Sequence, residues 1–491
     1  MTRTDPEPHT PAEMVDGVDP LAVEGLVVDE EMSAEEGLPN APHSAIVISL
    51  ASMGFFLITL DISIVNVALP RIRADLGGGI TGQQWIIDGY TLLFAVLLLF
   101  AGNLADRIGA KRAQAIGIAI FTITSAACAL APSTALLVAA RCAQGTGAAI
   151  MLPSSMALVR EAFPDPARRA RALGVWAVGG AVAGLVGQPL GGLLTTFDWR
   201  WVFTINLPVC AAMLVFLGWV APSPTRPRPF DWTGQLLAVV GLTTLVYGLI
   251  EGGHRGFGSG SALASLIVAV VSLVGFVIVQ GRVEHPMMPL DLFHAHGFRL
   301  ALPVGFAFMV GNFGNVFVIA LYLQQHLGLS PLHAGLVFMP PAAFSIVGNL
   351  SSGVITNRFG ARVAVVGGLT SMALGLTAML ILAPLGHPWL ISICIMPIGA
   401  GGSVAMPSVT SVVLDGVPAH QAGTASAVFN TFRQVGGALA IAVFGALIAS
   451  SDTIDTGLRL SLGIAAALIL LAALNSLQIR PRAATLTTSD R

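Results

Sequence analysis

The stretch GNLADRIGAKR, residues Gly102–Arg112, returns later in the chain as GVITNRFGAR at Gly353–Arg362. Each copy lies between two long apolar segments, and both keep the same spacing of glycine, polar and basic residues. The corresponding positions are Gly102 and Gly353, Asp106 and Asn357, Arg107 and Arg358, Gly109 and Gly360, and Lys111 and Arg362. This repeat predicts a protein built from two similar halves.

The segments that follow the two copies also match. GTGAAIMLP (Gly145–Pro153) corresponds to GAGGSVAMP (Gly399–Pro407). A unit of six apolar segments therefore occurs twice in parallel orientation, and two further segments separate the copies. Parallel repeats around a central cavity are one architecture of membrane transporters.

The composition indicates that lipid surrounds most of the chain. Of its 491 residues, 55% are hydrophobic and 10% are charged, whereas soluble globular proteins carry about 25% charged residues. The mean hydropathy is +0.81. These values exclude an ordinary soluble enzyme. The ten histidines and four cysteines show no metal-ligand or disulfide spacing, so no cofactor or metal is expected.

Fourteen apolar segments are candidates for crossing a bilayer, which takes about 20 residues. They span roughly 45–69, 83–104, 113–131, 134–152, 170–195, 201–221, 235–251, 261–280, 299–325, 331–354, 362–385, 388–412, 420–449 and 457–477. An even number of crossings places both chain ends on one side. Most arginines lie in connections on that side, and basic residues mark the cytoplasmic side of a membrane. Both termini are therefore predicted to be cytoplasmic.

The predicted fold is an all-α polytopic membrane protein in five parts. Residues 1–43 hold eleven of the 26 acids and one base, which predicts a disordered cytoplasmic tail because so polar a segment buries too little apolar surface to fold. Residues 44–222 are assigned to an N-terminal six-helix bundle. Residues 223–298 hold two linker helices with their loops, 299–478 a C-terminal six-helix bundle, and 479–491 a second cytoplasmic tail.

Four motifs together resemble the fourteen-helix drug:proton antiporter family of the major facilitator superfamily, over about residues 45–480. They are LDISIVNVALP (Leu60–Pro70) in the first helix, GNLADRIGAKR after the second, RCAQGTGAA (Arg141–Ala149) in the fourth and WRWVFTINLPV (Trp199–Val209) at the start of the sixth. The resemblance implies two six-helix bundles with two extra central helices. It also implies export of amphipathic drugs in exchange for protons by alternating access.

The helix-5 antiporter motif of that family is usually Gly-Pro-x-x-Gly-Gly. Here it reads GQPLGG, with Gln188 in the place of the proline and Pro189 one position later. The residues assigned to this motif are Gly184, Gly187, Pro189, Gly191 and Gly192. Gly180, Gly184, Gly187 and Gly191 share one helical face. Since small residues let helices approach closely, this face is predicted to pack between the two halves.

Charges within the membrane are costly, at about 2.5–3.5 kcal/mol each on the cheaper scale. Asp61 and Arg141 fall at similar predicted depths in the outer halves of segments 1 and 4, so a pair is expected. The functional interpretation is that Asp61 exchanges protons, and the alternative is a static ion pair that ties two helices together. Asp88 in WIIDGYTL is interpreted as a second proton site or a cation-recognition site. Its alternative is a carboxylate wetted by the outer mouth.

The predicted substrate cavity is lined by polar residues of both halves, namely Asn66, Asn312, Asn315, Arg433 and Gln434. Arg433 is interpreted either as a ligand for an anionic or polar substrate group or as a structural arginine bonded to backbone carbonyls. No carboxylate lies at comparable depth in segments 9–14. This absence favours neutral, zwitterionic or monocationic drugs.

The resemblance implies that the loop after segment 2 is a latch that holds an inner gate shut. Its residues are Gly102, Asp106, Arg107, Gly109, Lys111 and Arg112. The physical basis would be Asp106 near the start of helix 13, around Gln421, because a helix N-terminus favours an anion. The alternative is that these charges only set topology. Asn357 lacks the charge of Asp106, which predicts a weaker second latch.

The predicted function is proton-coupled export of small amphipathic drugs or antibiotics across the cytoplasmic membrane. One alternative is a dedicated exporter of one metabolite or self-made antibiotic, and another is a non-transporting sensor or scaffold. No phosphate-binding GxxxxGK loop is present, which argues against an ATP-driven pump. An enzyme is not expected. The predicted partners are substrate, protons and the lipid bilayer, without nucleic acid, and the protein is expected to be a monomer.

Overall fold

The computed structural model describes residues 44–225, 229–415, 417–418 and 421–479, so nearly all of both predicted tails lies outside the described residues. The described chain is helical without strands. Its principal helices are α1 Ser44–Leu76, α2 Gly79–Ile108, α3 Ala110–Ala129, α4 Thr134–Ala162, α5 Pro166–Phe197, α6 Trp201–Leu217, α7 Trp232–Arg255, α8 Gly260–Gln280, α9 His296–His326, α10 Pro331–Phe359, α11 Ala361–Leu382, α12 Pro388–Asp415, α13 Ala422–Ser450 and α14 Ile454–Ser476. Short 3-10 helices at Leu290–His294 and Ala383–Leu385 precede α9 and follow α11.

Thirteen of these helices are long and apolar enough to cross a membrane, which is one fewer than predicted. The exception is α6, which was predicted to span 201–221 and instead ends at Leu217 in two pieces, Trp201–Thr204 and Asn206–Leu217. Pro208 explains the interruption, because it has no amide hydrogen to donate to the Thr204 carbonyl.

Helix α1 is longer than predicted and continues through Pro70 to Leu76. Its midpoint is therefore close to Asp61, and the predicted depth of this acid in the outer half of the membrane stays a prediction. Helix α9 is also irregular, with π-helical turns at Val310–Gly314 and Tyr322–His326. Such turns interrupt the regular hydrogen-bond ladder and often mark functional sites.

The two halves repeat the same helix packing. In the first half α1 packs against α5, and α4 packs against both α2 and α3; in the second, α9 packs against α13, and α12 against both α10 and α11. The close approaches also repeat: Gly117 meets Gly147 where α3 and α4 cross, and Gly368 meets Gly401 where α11 and α12 cross. Glycine allows these backbones to touch because it has no Cβ. The predicted two-half architecture is confirmed at the level of the fold.

The halves meet on the side opposite the chain termini, which we call the distal side; the side of the termini is the proximal side. Arg73 Nη1 of α1 donates to Gln325 Oε1 of α9 over 3.2 Å. Gln324 Nε2 donates to the Val67 carbonyl over 3.1 Å. A buried apolar core also continues from the distal part of α1 and from α2 into α9–α14. The conformation is therefore closed on its distal side.

The glycine face of α5 does not pack between the halves as predicted. Gly180, Gly187 and Gly191 each lie against α1, within the first half, and Gly184 has no neighbour within 4 Å of the position that a Cβ would occupy. Glycine spacing reveals that another helix approaches closely, but it does not identify that helix. Despite the displaced proline Pro189, α5 runs unbroken to Phe197.

The neighbouring part of the helix-5 motif does join the halves. Gly192 of α5 lies against the backbone of Pro331 at the start of α10. In return, Gly335 of α10 lies against the carbonyl group of Gln188 in α5. This reciprocal contact between backbones lies on the distal side and requires glycine at both positions.

Gly335→Val is expected to open the distal side. Its side chain would meet the backbone of α5, which cannot rotate away, and overpacking of this kind costs about 1–3 kcal/mol. A Val67→Cys substitution supplies the reporter, since Val67 is 0% exposed in the distal-closed state. A membrane-impermeant thiol reagent should label this cysteine faster in the Gly335→Val background.

Gly184→Val is the matched control on α5, because nothing lies within 4 Å of its Cβ position. It should leave labelling at the wild-type rate. Equal labelling of Val67→Cys in the Gly335→Val and Gly184→Val backgrounds would show that the glycine contact does not control the distal side.

Candidate functional site

Asp61 and Arg141 form a buried ion pair, as predicted from their depths. Asp61 comes from the middle of α1 and Arg141 from α4, and the Arg141 Nη1 atom donates to Asp61 Oδ2. Both side chains are at most 1% exposed. Two charges this deep must neutralise each other, because an unpaired charge in a low-dielectric interior is far less stable than in water.

Two amide side chains complete the surroundings of the carboxylate. Asp61 Oδ1 accepts hydrogen bonds from Gln144 Nε2 at 3.0 Å and from Asn206 Nδ2 at 3.2 Å. Ser125 Oγ accepts from the same two amides, at 2.9 and 3.4 Å. The sequence prediction missed Ser125, Gln144 and Asn206. The motifs could have indicated the two amides, since Gln144 lies in the helix-4 motif and Asn206 in the helix-6 motif.

The guanidinium group of Arg141 is held on all sides. Its Nη1 also donates to Gln144 Oε1 at 2.7 Å, and its Nε donates to the Ile86 carbonyl of α2 at 3.0 Å. The ring of Tyr90 lies 4.3 Å from the guanidinium carbon and that of Phe203 lies 5.8 Å away. The pair thus joins α1, α2, α4 and α6 in one buried cluster.

The environment of Asp88 in α2 differs from that of Asp61. It is 0% exposed, and neither carboxyl oxygen has a hydrogen-bond partner among the described residues. The wetted carboxylate considered as an alternative is therefore wrong for this conformation. Asp88 lies one turn after Gln84, whose Nε2 donates to the Ala442 carbonyl of α13 at 2.9 Å. Because residues four apart share a helical face, Asp88 lies on the side of α2 that meets the second half.

Arg433 is half-buried on α13 and makes no backbone hydrogen bond in the described structure, in contrast to the structural alternative. Its Nη1 donates to Asn430 Oδ1 at 3.2 Å, and its Nε is buried without a partner. The rings of Phe308 and Phe429 lie 5.6 and 5.8 Å from its guanidinium carbon.

Three of the four other predicted cavity residues have an amide oxygen without a hydrogen-bond partner among the described residues. Asn66 of α1 donates to the Ile62 carbonyl at 2.8 Å and leaves its Oδ1 without a partner. Asn315 is buried with a free Oδ1, whereas Asn312 is half-buried. Gln434 also retains a free Oε1. These atoms are available to hydrogen-bond donors, although their role in binding stays a prediction.

The first turn of α3 contacts the segment that follows α6. The Lys111 backbone amide donates to Ser223 Oγ at 3.0 Å, and Lys111 Nζ donates to the carbonyls of Gly218, at 3.3 Å, and Val220. Gly109 alone separates α2 from α3, with a φ of 88°, a conformation that favours glycine.

The rest of the predicted latch lies nearby on the proximal side. The guanidinium carbon of Arg107 lies 5.1 Å from the ring of Phe230 in the α6–α7 connection. Gly102 and its repeat partner Gly353 have no neighbour within 4 Å of a Cβ position. The contact between Asp106 and the start of α13 remains a prediction, as does the latch.

Comparisons with known proteins identify the family. A sequence model of the Major Facilitator Superfamily matches residues 51–441. The methylenomycin A resistance protein of Streptomyces coelicolor is 34% identical over 427 residues, which cover 87% of this chain and 90% of the relative. The multidrug resistance protein Stp of Mycobacterium tuberculosis is 38% identical over 402 residues, with 81% and 74% covered.

A solved structure supports the same fold. The D-xylose-proton symporter superposes with a TM-score of 0.64 at 14% identity, covering 89% of this chain and 98% of that chain. At 14% identity the structural similarity supports the fold alone. Together with the many apolar helices, these matches confirm the resemblance predicted from the motifs and identify a multi-pass membrane transporter rather than an enzyme. The chain belongs to the Major Facilitator Superfamily.

Proposed function

We propose that this chain exports small amphipathic drugs or antibiotics across the cytoplasmic membrane in exchange for protons. Relatives that align over most of the chain are named for multidrug resistance and for resistance to single antibiotics. With both termini in the cytoplasm, the proximal side faces the cytoplasm. The distal-closed conformation is then the one that takes up substrate from inside the cell.

The observation that carries proton coupling is the buried Asp61–Arg141 pair with its two amide partners. Its four helices all belong to the first half, so coupling requires a movement within that half that separates Asp61 from its cation. A carboxylate that loses a cation in a dry site takes up a proton. Alternating access thereby becomes coupled to protonation.

A dedicated exporter of one compound is the second candidate. Relatives named for a single antibiotic include the methylenomycin A resistance protein of Streptomyces coelicolor and the tetracenomycin C resistance and export protein of Streptomyces glaucescens. The latter is 36% identical and named as a resistance and export protein. The breadth of the substrate range decides between the two candidates.

A susceptibility panel in a host that lacks its own efflux pumps tests the proposal. The wild-type protein should protect against amphipathic compounds of several chemical classes, and a protonophore should remove the protection. Protection against one compound alone would favour the dedicated exporter. Absence of protection against every compound, with the protein present in the membrane, would contradict drug export.

A further inference from the structure

Arg433 is a cation without an acid. Within the described residues it forms no ion pair, and its one hydrogen bond goes to the neutral amide of Asn430. The other arginine deep in a helix, Arg141, is paired with Asp61. Between Asp291 and Asp415 the sequence contains no acid at all, and the next is Asp452. The interior of α9–α14 therefore offers Arg433 no carboxylate.

The surroundings of Arg433 hold the side chain in place without neutralising it. Gly305 of α9 leaves room for it, because a Cβ there would lie 2.8 Å from Arg433 Cγ. Phe308 and Phe429 place their rings beside the guanidinium group. Phe308 in turn lies against Gly402 of α12. Three helices thus build one aromatic site around a single positive charge.

The acids of the first half do not pair with Arg433. Asp61 is paired with Arg141 and accepts hydrogen bonds from two amides. Asp88 lies on the face of α2 that meets the second half, but its carboxyl oxygens have no hydrogen-bond partner among the described residues. Arg433 is therefore available to an anionic group of a bound compound.

We propose that Arg433 binds the carboxylate of the transported compound, so that the preferred substrates are aromatic acids or zwitterions. Guanidinium is suited to this because its planar donors match a carboxylate in a bidentate arrangement. Phe308 and Phe429 accept the apolar body of the same molecule. This inference rests on the proposed export function and narrows its substrate class.

Binding of a matched pair of fluorescent probes tests the inference: an aromatic carboxylic acid and its methyl ester, with the full-length protein in nanodiscs. The wild type should bind the acid more tightly than the ester. Arg433→Gln should weaken acid binding about tenfold or more and leave ester binding unchanged. Arg433→Lys should bind the acid with an affinity between those of the wild type and Arg433→Gln, because an ammonium group is a point charge without the planar donors of guanidinium.

Arg299→Gln is the matched control, since Arg299 is an exposed arginine of the same half. It should bind both probes as the wild type does. Equal wild-type affinity for acid and ester, or equal loss of both in Arg433→Gln, would overturn the inference. Binding needs no proton gradient, so it can be tested separately from export. If acid binding depends on Arg433 but neither probe is transported by a proton gradient in vesicles, the export function fails while this inference stands.

Discussion

Replacing Asp61 by Asn is expected to abolish proton-driven efflux and to destabilise the protein by about 3–5 kcal/mol, because removal of one partner leaves the other charge buried. Arg141 would keep its place between Tyr90 and Phe203 and lose its only anion. Gradient-driven transport in inverted vesicles measures the first effect. Unfolding of the purified protein measures the second.

Asp75→Asn is the matched control, because it also removes an Asp–Arg pair from α1. Asp75 Oδ2 lies 3.0 Å from Arg200 Nη1, but the two side chains are 47% and 36% exposed. Solvent screens an exposed pair, and Asn keeps an oxygen for the hydrogen bond that Asp75 Oδ2 accepts from Trp199 Nε1 at 2.9 Å. This variant should therefore transport normally and unfold almost as the wild type does.

A double variant separates proton coupling from a static tie between helices. Asp61→Asn combined with Arg141→Met removes both charges while keeping an amide for Gln144 and Asn206 to contact. Neutral replacement of a whole buried pair is often harmless to stability, so the double variant should regain stability and remain inactive. Recovery of proton-driven efflux together with stability would show that the pair is only a structural tie.

The contact between Asp61 and Arg141 could be predicted from the sequence for a physical reason. Each charge is too costly to bury alone, and the constant rise of a helix places both at comparable depths. The end of α1 was nevertheless predicted too early, since the helix continues to Leu76. Apolar segments reveal membrane crossings more reliably than helix ends, which extend into water.

The partners of the pair could not be predicted in the same way. Gln144 and Asn206 reach Asp61 because α4 and α6 stand beside α1 in suitable rotations. Depth follows from counting residues along one helix, whereas rotation and neighbours depend on the packing of the whole bundle. For the same reason, the α5 glycines were predicted to pack against the other half, whereas most of them pack against α1.

Asp88→Asn is expected to leave stability within about 1 kcal/mol of the wild type and to abolish uphill, proton-driven efflux. Both oxygens of Asp88 are buried without a hydrogen-bond partner among the described residues, and Asn is similar to Asp in size, so the substitution breaks no ion pair. Downhill exchange of substrate should survive, since it needs no change of protonation. Thermal unfolding and paired uphill and exchange assays in vesicles measure these effects.

The stability result distinguishes the two acids, because the same Asp→Asn change removes an ionic partner at Asp61 and none at Asp88. Asp88→Glu serves as the control that keeps a titratable group and should retain part of the uphill transport. If Asp88→Asn instead lost only cationic substrates and still carried neutral and acidic compounds uphill, Asp88 would be a cation-recognition residue. A destabilisation as large as that of Asp61→Asn would mean that Asp88 is ionised and paired in the distal-closed state.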